Sequence, residues 1–199
     1  KGYVLMKMNR MDEANKNFSA SLQLSDTVVK SWAMWGEFFY EIFTTGAQES
    51  FAQRNMQNGK NAIIAFLHAS RHQSDSKTRK YLSNVLWLLS YDKEQQLAQA
   101  VQQYNTGVPP CNWVPWIQQL LHCLVRSEGQ HMLTILSQIS KLFPEAVYFP
   151  TRTLYLSLRL EQREMKYKYC IFSSAVGIQQ QQQQQQSSNS QQQQQPHQQ

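Results

Sequence analysis

The sequence predicts an all-α fold, a tetratricopeptide-like or HEAT-like helical repeat solenoid, on three observations. Small and aromatic residues recur at the spacing of a repeat of about 34 residues. Apolar positions elsewhere keep a helical period and nowhere alternate with period two over a useful length. Breakers gather in one strong stop, Gly107-Val108-Pro109-Pro110, which cannot continue a helix because proline has no N–H to donate.

Ala14 and Phe18 occupy the Ala and Phe positions of a second repeat helix, with Ser21 at its last small site. In a 34-residue repeat, the register set by Ala14 and Phe18 puts the first signature position of the next unit at Trp32. Trp35, Gly36 and Phe39 then fall where such a helix carries Leu, Gly and Tyr. The pattern has a packing cause: a small residue lets two helices approach, and a large ring opposite fills the groove. The matching second helix is expected from Asn61 to Ser70, where Ala62, Phe66 and Ala69 repeat the spacing. It arrives about 14 residues late for the period, so an inserted loop or extra turn is expected near Thr44 to Gln57, with Gly46 and Gly59 as breakers.

A third pair is expected from Lys77 to Ser90, with Tyr81, Leu82, Val85, Leu86 and Leu89 on one stripe, and from Asp92 to Tyr104, with Leu97, Ala100 and Val101. Asp75 and Ser76 suit an N-cap, and Asp92 places a negative charge where a helix dipole favours it. Beyond Pro110 the style changes to bulkier helices: Trp113 to Val125, then Gln130 to Leu142 stopped by Pro144, then Ala146 to Gln162 interrupted near Pro150. Gln179 to Gln186 and Gln191 to Gln195, joined by Ser187-Ser188-Asn189-Ser190, form a low-complexity tail. Such composition buries too little apolar surface to offset chain entropy, so no fixed fold is expected there. The organisation is therefore read as helix pairs over 1–106, bulkier helices over 107–170 and a Gln-rich linker or tail over 171–199.

Several function classes are excluded or demoted by residue type. The 199 residues begin with Lys1 and close on the glutamine tract, so the chain is expected to be a segment of something longer. No apolar run approaches the ~18 residues needed to cross a bilayer, and no membrane partner is expected. Three cysteines, Cys111, Cys123 and Cys170, lack C-x-x-C pairing and fit a reducing compartment. The net charge of +6 is spread over the chain rather than gathered on one element, so direct nucleic-acid binding is not expected.

Candidate chemistry is sparse. His68 and His72 stand at metal-ligand spacing on a helix, but the Glu of H-E-x-x-H and a third ligand are missing. His122 and Cys123 are helix neighbours that point about 100° apart, so Cys123 is read as a small buried hydrophobe. Ser127-Glu128-Gly129 is a turn rather than a nucleophile elbow. The seven glycines never cluster into G-x-G-x-x-G or a P-loop. Trp32, Trp35, Trp87, Trp113 and Trp116 are read mostly as core, and Trp35→Ala is expected to cost about 3–5 kcal/mol if that ring is buried between helices. No catalytic, cofactor-binding or metal-binding residue is assigned.

Two blocks carry a resemblance. Trp113-Val114-Pro115-Trp116-Ile117-Gln118-Gln119-Leu120-Leu121, and later Phe143-Pro144-Glu145-Ala146-Val147-Tyr148-Phe149-Pro150, resemble the C-terminal part of the FAT domain of phosphatidylinositol-3-kinase-related kinases. Phe143 and Phe149 stand where His and Tyr are commoner in that family. The wording of Leu124-Val125-Arg126-Ser127-Glu128-Gly129 and Trp32-Ala33-Met34-Trp35-Gly36 is similar to the family's kinase-dead member, over roughly Gly2 to Glu164. The resemblance implies a nuclear, non-catalytic scaffold segment of a transcription coactivator subunit, in histone acetyltransferase complexes of the SAGA and NuA4/TIP60 kinds. It implies transcription activators, complex subunits and the protein's own C-terminal kinase-like domain as partners. Two other readings remain open at this level: a FAT region bracing an active kinase, and a free-standing repeat adaptor with a Gln-rich tail.

Overall fold

Nine helices and one 3₁₀ segment follow one another among the residues that the computed structural model describes, which are 1–45, 56–71, 76–92, 94–126 and 129–167. The helices are α1 (Gly2–Lys7), α2 (Met11–Leu24), α3 (Val29–Thr45), α4 (Met56–Arg71), α5 (Ser76–Leu89) and α6 (Gln96–Tyr104), then α7 (Ile117–Leu124) and α8 (Gly129–Leu142). A ninth, α9, covers 144–167. No strand occurs among the described residues, as the lack of any period-two pattern predicts. The chain divides into two compact units, 1–151 and 152–199.

In the first unit the repeat spacing becomes packing. Ala14, Ala62, Phe66 and Ala69 are completely buried, and Phe18 and Phe39 nearly so. Gly36 of α3 faces Phe66 of α4 so closely that a Cβ on it would lie 2.7 Å from the ring. This is the small-against-large contact that lets the α3 and α4 backbones approach. Phe66 in turn stacks on Tyr81 of α5 with ring centres 5.7 Å apart, so one ring joins three helices. Ser21 does not simply fill space: its hydroxyl lies 2.9 Å from that of Ser31 and ties α2 to α3.

Differences from expectation have local causes. The late second helix begins at Met56, earlier than Asn61, and Gly59 lies inside it against Phe43, so this glycine serves helix approach rather than a break. The inserted segment around Gly46 lies at 46–55, outside the described residues, as do Asp75, His72 and the pair Ser127 and Glu128. On α5, Leu88 is buried alongside Tyr81, Leu82, Val85 and Leu89, whereas Leu86 is half-buried. The next helix starts at Gln96 rather than Asp92. Asp92 still caps it: its buried carboxylate accepts the Ala98 backbone N–H at 2.7 Å across the intervening bend.

Proline placement explains the remaining shifts. The helix expected from Trp113 opens as a 3₁₀ segment, Pro110–Trp116, because Pro115 cannot donate an N–H to a regular α ladder. Pro144 does not end α8 so much as begin α9. Only Phe143 separates the two helices, donating its N–H to Ile139 and accepting that of Ala146, and proline suits the first helical position. The helix continues across Pro150 to the end of the first unit, where the half-buried setting tolerates one missing ladder bond. The described residues of the second unit, 152–167, are helical throughout.

The tryptophans divide. Trp113 is completely buried and donates its indole N–H to Asn105 Oδ1 at 2.9 Å. Trp32, Trp35, Trp87 and Trp116 are only half-buried, which corrects their reading as core. Amphipathic rings of this size often bury their faces while an edge meets solvent.

Candidate protein interaction surface

Trp32, Trp35 and His68, three half-exposed rings of the repeat region, form one continuous patch on α3 and α4. Trp32 lies 5.9 Å from Trp35 and stacks on His68 with ring centres 4.2 Å apart and planes 13° from parallel. The i, i+3 spacing of Trp32 and Trp35 puts both rings on one face of α3, and His68 is one turn before the end of α4. Their polar atoms are spent inside the fold. Trp32 Nε1 donates to the Asp26 carbonyl at 2.6 Å, and Trp35 Nε1 to Asn15 Oδ1 at 2.9 Å. Arg71 donates to the Tyr104 carbonyl at 3.1 Å and lies 3.1 Å from His68 Nδ1. What the patch offers outward is ring surface, which suits contact and not proton transfer.

His68 is thus a packing residue held by Trp32 and Arg71, and its metal partner at 72 lies outside the described residues. Among the described residues no group of three His, Cys, Asp or Glu is placed to hold a metal. On α7, His122 is exposed and Cys123 is half-buried rather than buried, the helix turning them apart. Cys170 lies outside the described residues.

A groove of about 570 Å³ lies between the turn after α6 and the end of α8, with Val108, Pro109 and Pro110 on one wall and Thr134, Gln138 and Lys141 on the other. Its size falls within the range of ligand pockets, but Lys141 is the one ionisable group lining it. A lone ammonium of this kind can position an anion. No described helix is long and apolar enough to cross a membrane.

The feature that spacing alone did not reveal is the exposure of α9. In the first unit Tyr148 and Phe149 are 56% and 72% exposed, with their rings 5.1 Å apart. In the second unit Tyr155, Leu160, Met165 and Tyr167 are each more than half exposed. The sequence held the signal: apolar residues fall on every side of this helix, and a helix apolar all round needs partners all round.

The first 87 residues match the FAT domain family. The chain is 51% identical over 168 residues to the transformation/transcription domain-associated protein of Danio rerio, covering 84% of this chain and 4% of that relative. It is 52% identical over 169 residues to the protein of the same name from Homo sapiens, with the same coverage of both. It is 34% identical over 154 residues to the SAGA complex/NuA4 acetyltransferase complex subunit Tra1 of Schizosaccharomyces pombe, covering 77% of this chain and 4% of that subunit. The chain therefore spans about one twenty-fifth of the length of these relatives. The aligned stretches are nearly twice as long as the family match, so likeness extends beyond the repeat helices into the bulkier ones.

Proposed function

From a chain whose first 87 residues match the FAT domain family and which is about half identical, over 84% of its length, to transformation/transcription domain-associated proteins, we propose a non-catalytic scaffold segment of a transcription coactivator subunit. The subunit belongs to histone acetyltransferase complexes of the SAGA and NuA4/TIP60 kinds and works in the nucleus. The observation that carries the reading is the likeness, 34% identity over 77% of this chain, to the SAGA complex/NuA4 acetyltransferase complex subunit Tra1 of Schizosaccharomyces pombe. The physical character of the surface supports it: ring faces and exposed apolar helix are the means of holding proteins, as helical repeats do.

In this reading the segment binds transcription activators, other complex subunits and the protein's own kinase-like domain, and it performs no catalysis. Rigid helix pairs suit that task because each repeat fixes its neighbour while leaving long faces free. The test is recovery of the full protein from nuclei followed by mass spectrometry of what accompanies it. Acetyltransferase-complex subunits are expected among the partners. Their absence, with the protein intact, would sink the proposal.

A further inference from the structure

The groove between the turn after α6 and the end of α8 differs from the ring patch: it is concave, braced on both walls and free of negative side chains. One wall is the turn from Asn105 to Pro110. Gly107 takes a φ of +87°, the Val108 N–H donates to the Asn105 carbonyl at 3.0 Å, and two prolines stiffen the backbone beyond it. The other wall is one face of α8, where Thr134, Gln138 and Lys141 follow at i, i+4 and i+7, with Leu142 exposed at the end. Asn105 lines the groove although only 8% exposed; its Oδ1 is taken by the Trp113 indole, which leaves the Nδ2 amide as the group with hydrogens to give. Two cations stand here without an acid. Among the described residues the ion pairs engage Lys7, Arg10 and Lys80, and neither Lys141 nor Arg71, whose side chain packs against Gly107 with its Nε buried and unbonded.

We propose that this groove binds a small organic carboxylate, one carboxyl group on a compact apolar body. The inference stands apart from the scaffold reading and needs no partner protein. A volume of about 570 Å³ suits a small molecule, and apolar walls with a few placed polar groups are how such ligands are held. Lys141 supplies the charge, Asn105 Nδ2 and the Thr134 hydroxyl supply neutral donors, and Val108, Pro109 and Leu142 cover the body. Positive charges with no acid beside them attract an anion and repel a cation. The ligand carries one charge and not several, because α6 and α8 both bring their C-terminal ends to this groove, the negative ends of their dipoles. A phosphate group favours a helix N-terminus or a cluster of arginines, and the groove lining has neither. Since the proline turn and the helix face are fixed beforehand, binding has little ordering cost to overcome.

The experiment is equilibrium dialysis of the full protein against radiolabelled 4-phenylbutyrate, with unlabelled 4-phenylbutanol, 4-phenylbutylamine and inorganic phosphate as competitors. Saturable binding of the carboxylate is expected, and each competitor is expected to displace it at least tenfold less well than unlabelled 4-phenylbutyrate does. Lys141→Met keeps the aliphatic stem and removes the charge, and it is expected to weaken binding tenfold or more. Lys141→Arg keeps most of the binding, and Leu142→Ser loses a part of it. Both positions are exposed, so these variants are expected to unfold at the wild-type temperature, which separates loss of the site from loss of the fold. Absence of saturable binding, displacement by the alcohol or by phosphate as readily as by the carboxylate, or wild-type affinity in Lys141→Met would each overturn the inference. None of these outcomes bears on which proteins accompany the chain, so the scaffold reading is tested separately.

Discussion

The repeat region, α1 to α6, and the region from Pro110 to Leu142 solve the same packing problem by different means. In the repeat region close approach is distributed: Gly36, Gly59, Ala62 and Ala69 are small residues that each let a neighbouring ring or helix come near. In the later region cohesion converges on one large side chain. Trp113 is fully buried in the 3₁₀ segment, its N–H bonded to Asn105, and its neighbour Asn112 donates to the Ser70 carbonyl of α4 at 3.1 Å. A distributed design tolerates loss of any one ring, whereas a convergent one does not.

Trp113→Ala is therefore the harshest test of that difference. It removes the largest fully buried side chain and leaves Asn105 Oδ1 buried without its donor, so a loss of about 3–5 kcal/mol is expected. Chemical denaturation of the chain measures it. A cost below about 1 kcal/mol would mean that the later region is not anchored by this ring.

Glycines offer a like-for-like probe of the two regions. In Gly129→Ala the new methyl would sit 2.6 Å from the Leu124 carbonyl oxygen, a backbone atom that cannot turn aside. In Gly36→Ala it would meet the Phe66 ring at 2.7 Å, and that ring is fixed by Tyr81 and completely buried. Both changes overpack, by about 1–3 kcal/mol, with Gly129→Ala at the upper end because backbone yields less readily than a side chain. Thermal unfolding of the two variants checks the order, and reversal would place the tighter constraint in the repeat.

Trp35→Ala sharpens the contrast from the other side. The sequence places this residue at a repeat signature position and so invites a core-sized penalty. Half exposure and a single hydrogen bond to Asn15 reduce the expectation to about 1–2 kcal/mol. A measured cost equal to that of Trp113→Ala would show that the repeat, too, depends on one ring.

Legibility in the sequence followed the range of the forces involved. Repeat spacing reports helix-to-helix approach, so Gly36 against Phe66 and the buried Ala62 and Ala69 could be read directly. Periodicity does not report how deep a ring lies, and Trp113 and Trp35 look alike in the sequence while only one is core. Nor does it report local ladder geometry: Pro115 gave a 3₁₀ turn, Pro144 a helix start, and Pro150 no break. Assigning no catalytic residue followed from missing motifs, whereas the exposed apolar side chains of α9 emerged only when helix and exposure were taken together.

The smallest effect is electrostatic and belongs to the repeat region alone in this comparison. Lys80 Nζ on α5 donates to Glu37 Oε1 on α3 at 2.7 Å, and this bond raises the lysine pKa above its ordinary value. Burial, with a smaller push from Tyr91, raises that of the Tyr40 phenol. A group whose folded pKa lies above its unfolded value contributes stability that is complete below the unfolded pKa and is lost as pH rises through the folded one. For both groups that window opens near pH 10 and extends upward, so stability is expected to fall from pH 10 onward and to stay flat with respect to these two at neutral pH. Because Lys80 is 62% exposed, the ion pair itself is worth no more than about 0.2–1 kcal/mol. Tyr40→Phe removes the phenol and should flatten part of the alkaline fall while leaving the packing against Trp87 nearly intact. Denaturation midpoints of wild type, Tyr40→Phe and Lys80→Met at neutral pH and above pH 10 measure this; an alkaline fall undiminished in both variants would assign it to groups outside the α3, α4 and α5 contact.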